Sequence, residues 1–342
     1  MKNNKNITIK HIAQTLGISI STVSRALHDA YDVSPETRRK VMALAEELDY
    51  KPNPYAVSLV KQNTNMIGVL LPEIAVYYFS MVVKGIQDVA YSVGYNVMFF
   101  ISGESLEREK KILKNLNVNS LDGLLVSVSG ETNTSEHFKK LIDQGLPIVF
   151  FDRVLNDIQT SKVVQDDYQG AYDVTQHFID QGFTRIAHLA GSKSLNISKQ
   201  RLQGYLDALE KNGLPINKKY ILYSGYTEED GLRDMSKLLE VRPLPDALFC
   251  VNDRKAIGAM LALKRYGYKI PQHIAIAGFM NAPITEVVTP SMTTVEQPAY
   301  EIGSKSCQLL LEHIKNPNMT PQTVVMPSRL IIRESSIKVK VF

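Results

Sequence analysis

The apolar positions near the start of the chain fall into two short helical stripes. Ile9, Ile12, Ala13 and Leu16 share one face at 100° per residue, and Gly17 then supplies the permissive backbone of a tight turn. Ser19 reads as the N-cap of a second helix, in which Val23, Ala26 and Leu27 form a stripe that is buried only by packing on the first. Ile20, Ser21, Ser24 and Arg25 fall on the opposite face, free to touch a partner. In the following "DVSPETRRKVMALAEELDYKPNP", Ser34, Pro35 and Glu36 are start signals for a third helix with Val41, Leu44, Ala45 and Leu48 as its stripe. Lys51 and Pro52 are expected to end it. Three short helices around one small core are the pattern of a helix-turn-helix module, whose second helix reads the major groove.

The stretch "PNPYAVSLVKQNT" has a cap in Asn53 and an opening Pro54 but only about two helical turns, too few to be stable alone. It reads either as a plain linker or as a segment that becomes helical when paired with its copy on a minor groove, with Leu59 as an apolar wedge. From Met66 the period changes. "MIGVLLP", "YNVMFFIS", "GLLVSV", "IVFFD", "KVVQDD", "RIAHLAG", "ALFCVND" and "IAIAGF" are strand candidates, and helical segments separate most of them. That alternation predicts parallel sheets in doubly wound α/β subdomains. "GIQDVAYSVG" and "GYLDALEKNG" share their glycine spacing and apolar placement, each near the first strand of its half, which suggests two similar halves.

Composition changes this picture little. A chain of 342 residues with 44% hydrophobic and 22% charged residues is ordinary for two or three globular domains. No apolar run approaches the ~18 residues of a membrane span, and the basic start lacks the apolar stretch of a secretory signal, so a cytoplasmic location is expected. Charge distribution is more informative than the net +4, because residues 1–28 contain Lys2, Lys5, Lys10 and Arg25 and no acid. A compact basic module on a near-neutral body is an electrostatic footprint for phosphate, although a solvated basic terminus would carry the same charge. Cys250 and Cys307 sit in apolar segments and read as buried free thiols. The chain contains no G-x-G-x-x-G, P-loop, H-E-x-x-H or G-x-S-x-G, and its seven histidines are scattered, so neither an enzyme nor a cofactor or metal site is expected.

These motifs, together with "DGLL", "FFDR", "RLQGY", "VNDRKAIG", "TPSMTTVEQP" and "RLIIRESS" in this order, make the chain resemble the LacI/GalR family of bacterial transcriptional regulators over essentially its whole length. The resemblance implies a small all-α helix-turn-helix domain (1–52), a hinge helix and linker (53–65), and a two-subdomain α/β effector domain like a periplasmic binding protein (66–342). Subdomain one would take about 66–163 plus 294–320, and subdomain two about 164–290 plus 321–342. It also implies a repressor that binds a near-palindromic operator as a homodimer or higher oligomer, controlled by a small molecule in the cleft, a sugar or sugar derivative.

The family's base-reading positions fall on Ile20, Ser21 and Arg25. Arginine suits a guanine edge and isoleucine a thymine methyl. Thr8, Ser19, Thr22, Ser24 and Asn53 are expected at phosphates or as caps, and Ala56 and Leu59 at the minor groove. Positions expected to face the effector are Tyr78, Phe79, Ser127, Asp152, Arg201, Tyr226, Asn252, Asp253 and Met280. Tyr78 and Phe79 are equally readable as core of the next helix, and Asp253 as a helix cap. Met280 stands where sugar- and purine-binding relatives commonly carry an acid, and a thioether accepts hydrogen bonds poorly. A solute-binding protein would use the same cleft without a DNA module, and a receiver-like signalling domain fits two halves poorly.

Overall fold

The computed structural model describes residues 7–27, 32–50 and 63–338. The chain divides into two compact units between Thr64 and Asn65. Asn53, Ala56 and Leu59, and with them the expected hinge helix, lie outside the described residues.

The first unit contains α1 (Ile9–Leu16), α2 (Ile20–Leu27) and α3 (Pro35–Glu47) around a core of Ile12, Ala13, Val23, Ala26, Val33, Val41 and Ala45. Gly17 turns the chain between α1 and α2 at φ 64°, a left-handed conformation that glycine adopts without steric cost. Ser34 caps α3 by accepting the Thr37 N–H at 3.2 Å, with Pro35 in the first turn. The helix stops at Glu47, before the expected Lys51, because Asp49 takes φ 44° and the Tyr50 N–H closes back on the Ala45 carbonyl at 2.8 Å. Ser34→Ala removes the capping acceptor of α3, which packs on a core of seven buried apolar residues among those described. We expect it to destabilise this unit by about 1 kcal/mol, read as a lower thermal midpoint for the first unit alone.

The second unit contains two parallel sheets and a short antiparallel pair. The first sheet comprises β1 (Met66–Leu71), β2 (Asn96–Ile101), β3 (Gly123–Val126), β4 (Ile148–Phe151), β5 (Lys162–Gln165) and β11 (Thr323–Met326), in the order β11-β5-β4-β3-β1-β2. The second comprises β6 (Ile186–Ala190), β7 (Ile221–Tyr223), β8 (Ala247–Cys250) and β9 (Ala275–Ala277), in the order β7-β6-β8-β9. Burial on both faces explains why the central strands read as unbroken apolar runs in the sequence. β10 (Thr294–Glu296) pairs antiparallel with β12 (Arg329–Ile331).

The repeated glycine spacing acquires a physical meaning here. Helix α4 (Tyr77–Ser92) follows β1, and a Cβ on its Gly85 would lie 2.1 Å from the carbonyl oxygen of Tyr300 in the long helix Ala299–Lys315. Helix Asn196–Lys211 follows β6, and a Cβ on its Gly204 would lie 2.3 Å from the carbonyl of Tyr168. In each half the first glycine permits backbone contact between helices. The second, Gly94 or Gly213, ends the helix with positive φ.

The subdomain limits differ from those expected. Strand β5 runs to Gln165 and β11 pairs with it, so 162–165 and 323–326 both belong to the first sheet. Val295 of β10 packs with Phe279 in the core of the second half, so the returning first-subdomain segment begins at the Ala299 helix and not at 294. The three connections between halves therefore fall near 165–166, 297–298 and 327–328.

Candidate functional site

Ile20, Ser21 and Arg25 are exposed on the face of α2 opposite its buried Val23 and Ala26. Ser19 caps this helix by accepting the Thr22 N–H at 3.0 Å, and its hydroxyl also meets those of Ser21 and Thr22 at 2.7 and 2.8 Å. The Thr8 N–H donates to His11 Nδ1 at 3.2 Å at the start of α1, while Ser24 is half-buried. An Arg25–Asp32 ion pair at 2.7 Å was not anticipated from the sequence, because seven residues separate the partners.

The cleft lies where the carboxyl ends of the strands in both sheets converge, the place where open α/β sheets take ligands. Tyr78 and Phe79 occupy the first turn of α4, 5% and 3% exposed, with rings edge to face at 5.3 Å. Ser127 follows β3 and donates to the Asp152 carboxylate at 3.3 Å. Asp152 follows β4 in a left-handed conformation, φ 57°. Burial pushes its carboxyl up to about 6, against the opposing pull of the neighbouring Arg153. Arg153, overlooked despite standing in "FFDR", is buried and paired with Glu104 at 2.7 Å. Its guanidinium lies 5.9 Å from the Phe79 ring centre and 5.3 Å from that of Tyr226 in the other half, so it bridges the two walls.

Other cross-cleft contacts are a hydrogen bond from Ser194 to the Gly130 carbonyl at 2.9 Å and an Arg254–Glu73 ion pair at 3.2 Å. Leu195 and Ile197 join an apolar cluster with Val128, Val154 and Leu155. The two halves are thus drawn together.

Several expected effector residues have other work. Arg201 is 3% exposed, pairs with Asp167 at 2.7 Å, donates to the Val251 carbonyl and covers the Phe279 ring at 3.7 Å. These partners all lie within the second half. Asn252 caps the helix Asp253–Arg265 by accepting the Lys255 N–H at 2.8 Å, and donates to the Tyr226 carbonyl at 3.0 Å. Asp253 accepts from the Thr294 hydroxyl at 2.6 Å and the Ala282 N–H at 2.8 Å, tying three segments together. Met280, 6% exposed with φ 141°, packs in the core cluster of Tyr78 and Phe79. The Tyr226 hydroxyl meets that of Ser198 at 2.5 Å, leaving its ring as the available surface.

Three buried side chains near the carboxyl edge of the first sheet contain polar atoms without hydrogen-bond partners. The Tyr78 hydroxyl makes no hydrogen bond of ordinary geometry, although burial and the nearby Asp152 charge raise its pKa well above the usual tyrosine value. Arg153 Nε faces the Asp152 carboxylate at 3.9 Å, too far for a hydrogen bond, and neither amide atom of Gln165 has a hydrogen-bond partner. Gln165 ends β5, beside β4 and its trailing Asp152. No sequence signal marked it, since it reads as one more position of "KVVQDD".

Comparison with known proteins now places this architecture. Residues 8–53 match the family described as bacterial regulatory proteins, lacI family, and residues 175–336 match a periplasmic binding protein-like domain. Catabolite control protein A of Priestia megaterium is 32% identical over 97% of this chain and 99% of its own. The ribose operon repressor of Haemophilus influenzae is 31% identical over 97% of this chain and 99% of its own. A solved transcriptional regulator CelR-cellobiose complex covers 96% of this chain and 99% of its own at 27% identity and a TM-score of 0.74. The chain belongs to the lacI family of bacterial transcriptional regulators.

Proposed function

We propose that this regulator represses transcription by binding a near-palindromic operator as a homodimer, under the control of a sugar or sugar derivative held between the subdomains of its second unit. The observation that carries the effector reading is the group of buried polar atoms without close hydrogen bonds on Tyr78, Arg153 and Gln165, the first two facing the Asp152 carboxylate. Buried polar atoms without partners each cost about 1–3 kcal/mol. A polyhydroxylated ligand relieves that cost, its oxygens accepting from Tyr78, Arg153 Nε and the Gln165 amide while a hydroxyl donates to Asp152. The Phe79 and Tyr226 rings supply the apolar faces on which a sugar ring packs. The similarity to a ribose operon repressor and to a CelR-cellobiose complex supports the same ligand class.

The DNA reading rests on the exposed Ile20, Ser21 and Arg25 of α2, with the hydroxyls of Ser19 and Thr22 and the Thr8 end of α1 placed to meet phosphates. Asn53, Ala56 and Leu59 complete the interface in this proposal. The dimer is supported by an open groove of about 730 Å³ lined by Ile257, Met260, Tyr268, Ile270 and Val288, with Val287 nearby 72% exposed. A second copy covers it. Work on DNA supports a cytoplasmic location in this proposal. No described helix is long and apolar enough to cross a membrane.

Ligand closes or opens the cleft by binding one arrangement of the halves better than the other, and the three connections transmit that difference toward the DNA-binding unit. The test is titration of the protein with ribose, cellobiose and other neutral sugars while operator affinity is followed by fluorescence. A sugar that shifts operator affinity should bind about 10- to 100-fold more weakly to Asp152→Asn, the loss expected for one hydrogen bond to a charged acceptor. Because the ionised carboxylate is the better acceptor, wild-type affinity should rise as pH increases through about 6, and Asp152→Asn should lose that dependence. Sugar binding indifferent to Asp152 at every pH would remove the cleft assignment.

A further inference from the structure

We propose that Asp32 is a second specificity residue of the DNA-binding unit, holding one edge of the Arg25 guanidinium so that its other edge meets a base. The inference rests on Arg25 as a base reader. Arg25 lies in the last turn of α2, its side chain 62% exposed, and its Nη1 contacts Asp32 Oδ2 at 2.7 Å. Asp32 is well placed for this task because the residues after it are fixed. Val33 is buried in the three-helix core and Ser34 caps α3, so the carboxylate is presented from an anchored turn.

The contact uses one carboxylate oxygen on one terminal nitrogen. It leaves Nε and the other terminal nitrogen for the two acceptors of a guanine edge, which take a guanidinium bidentately. A long arginine side chain otherwise spreads over many rotamers, and fixing it before DNA arrives removes part of the ordering cost from the binding step. A carboxylate near the duplex also repels phosphate, but that loss is common to every duplex. The held guanidinium is what widens the gap between the correct site and any other.

The experiment uses the full-length protein, an operator duplex selected by the wild type from a random pool, and a scrambled duplex of the same composition, at two salt concentrations. Asp32→Asn should lower the operator-to-scrambled affinity ratio by about three- to fivefold, the scale of one exposed ion pair, while affinity for the scrambled duplex stays constant or rises. In an Arg25→Ala background the same substitution should leave the ratio unchanged. An equal gain on both duplexes would make Asp32 a phosphate-repelling charge only and overturn the inference, as would an equal effect with and without Arg25. A normal ratio for Arg25→Ala alone would instead overturn Arg25 as base reader, and the inference with it.

Discussion

Arg201→Ala is expected to destabilise the second unit by about 3–5 kcal/mol, the largest effect of any single change considered, because it strips the partner from a buried charge. Asp167 is 6% exposed, and burial already raises its carboxyl pKa against the opposing pull of Arg201. Without the guanidinium that carboxylate stays buried and unpaired, the Val251 carbonyl loses a donor, and the face of Phe279 loses its cover at 3.7 Å. Urea denaturation should show a lower midpoint for the second unit. The penalty should shrink as pH falls, since a carboxyl with raised pKa costs stability only while it is ionised. Arg201→Lys should recover part of the loss, because an ammonium restores charge but not the planar fork. Replacing Arg201 and Asp167 together by apolar residues should cost less than Arg201→Ala, as no charge is left behind. If Arg201 served chiefly to grip the effector, Arg201→Ala would melt like the wild type and lose only ligand response.

Arg201 also illustrates what the sequence makes legible and what it hides. A buried arginine and a ligand-gripping arginine are the same letter. The difference is a carboxylate 34 positions away, on a helix whose contact with the Arg201 helix emerges only from the tertiary fold. The helix-turn-helix stripes and the central strands were readable because burial forces an unbroken apolar pattern on them. Strands β7, β11 and β12 were not, since none of their residues is fully buried, and neither was β10, which buries only two. Missing β11 and β10 misplaced the subdomain limits. Tyr78, Phe79 and Asp152 are pointed to by the family resemblance, and each follows a strand of the first sheet, the end at which open α/β sheets take ligands. Gln165 trails a strand too, but its unpartnered amide becomes informative only once its neighbours are known not to satisfy it.

Arg25→Ala is expected to reduce the preference for operator over scrambled DNA by about 5- to 150-fold, corresponding to the roughly 1–3 kcal/mol that one bidentate base contact contributes. The side chain projects from the exposed face of α2 and takes no part in the three-helix core, so the unit should keep its fold. The substitution also frees Asp32 from its ion pair, which adds an unpaired negative charge near phosphate and weakens binding to all duplexes somewhat. These two losses separate by their salt dependence. The lost base contact lowers the affinity ratio at every salt concentration, whereas the electrostatic loss is common to both duplexes and fades as salt rises. Arg25→Lys should fall between wild type and alanine, restoring charge and the general affinity but not two parallel donors. Measurement by fluorescence anisotropy at two salt concentrations decides the matter. A ratio unchanged in Arg25→Ala would move base recognition to Ile20 and Ser21, the other exposed residues at the start of the same helix.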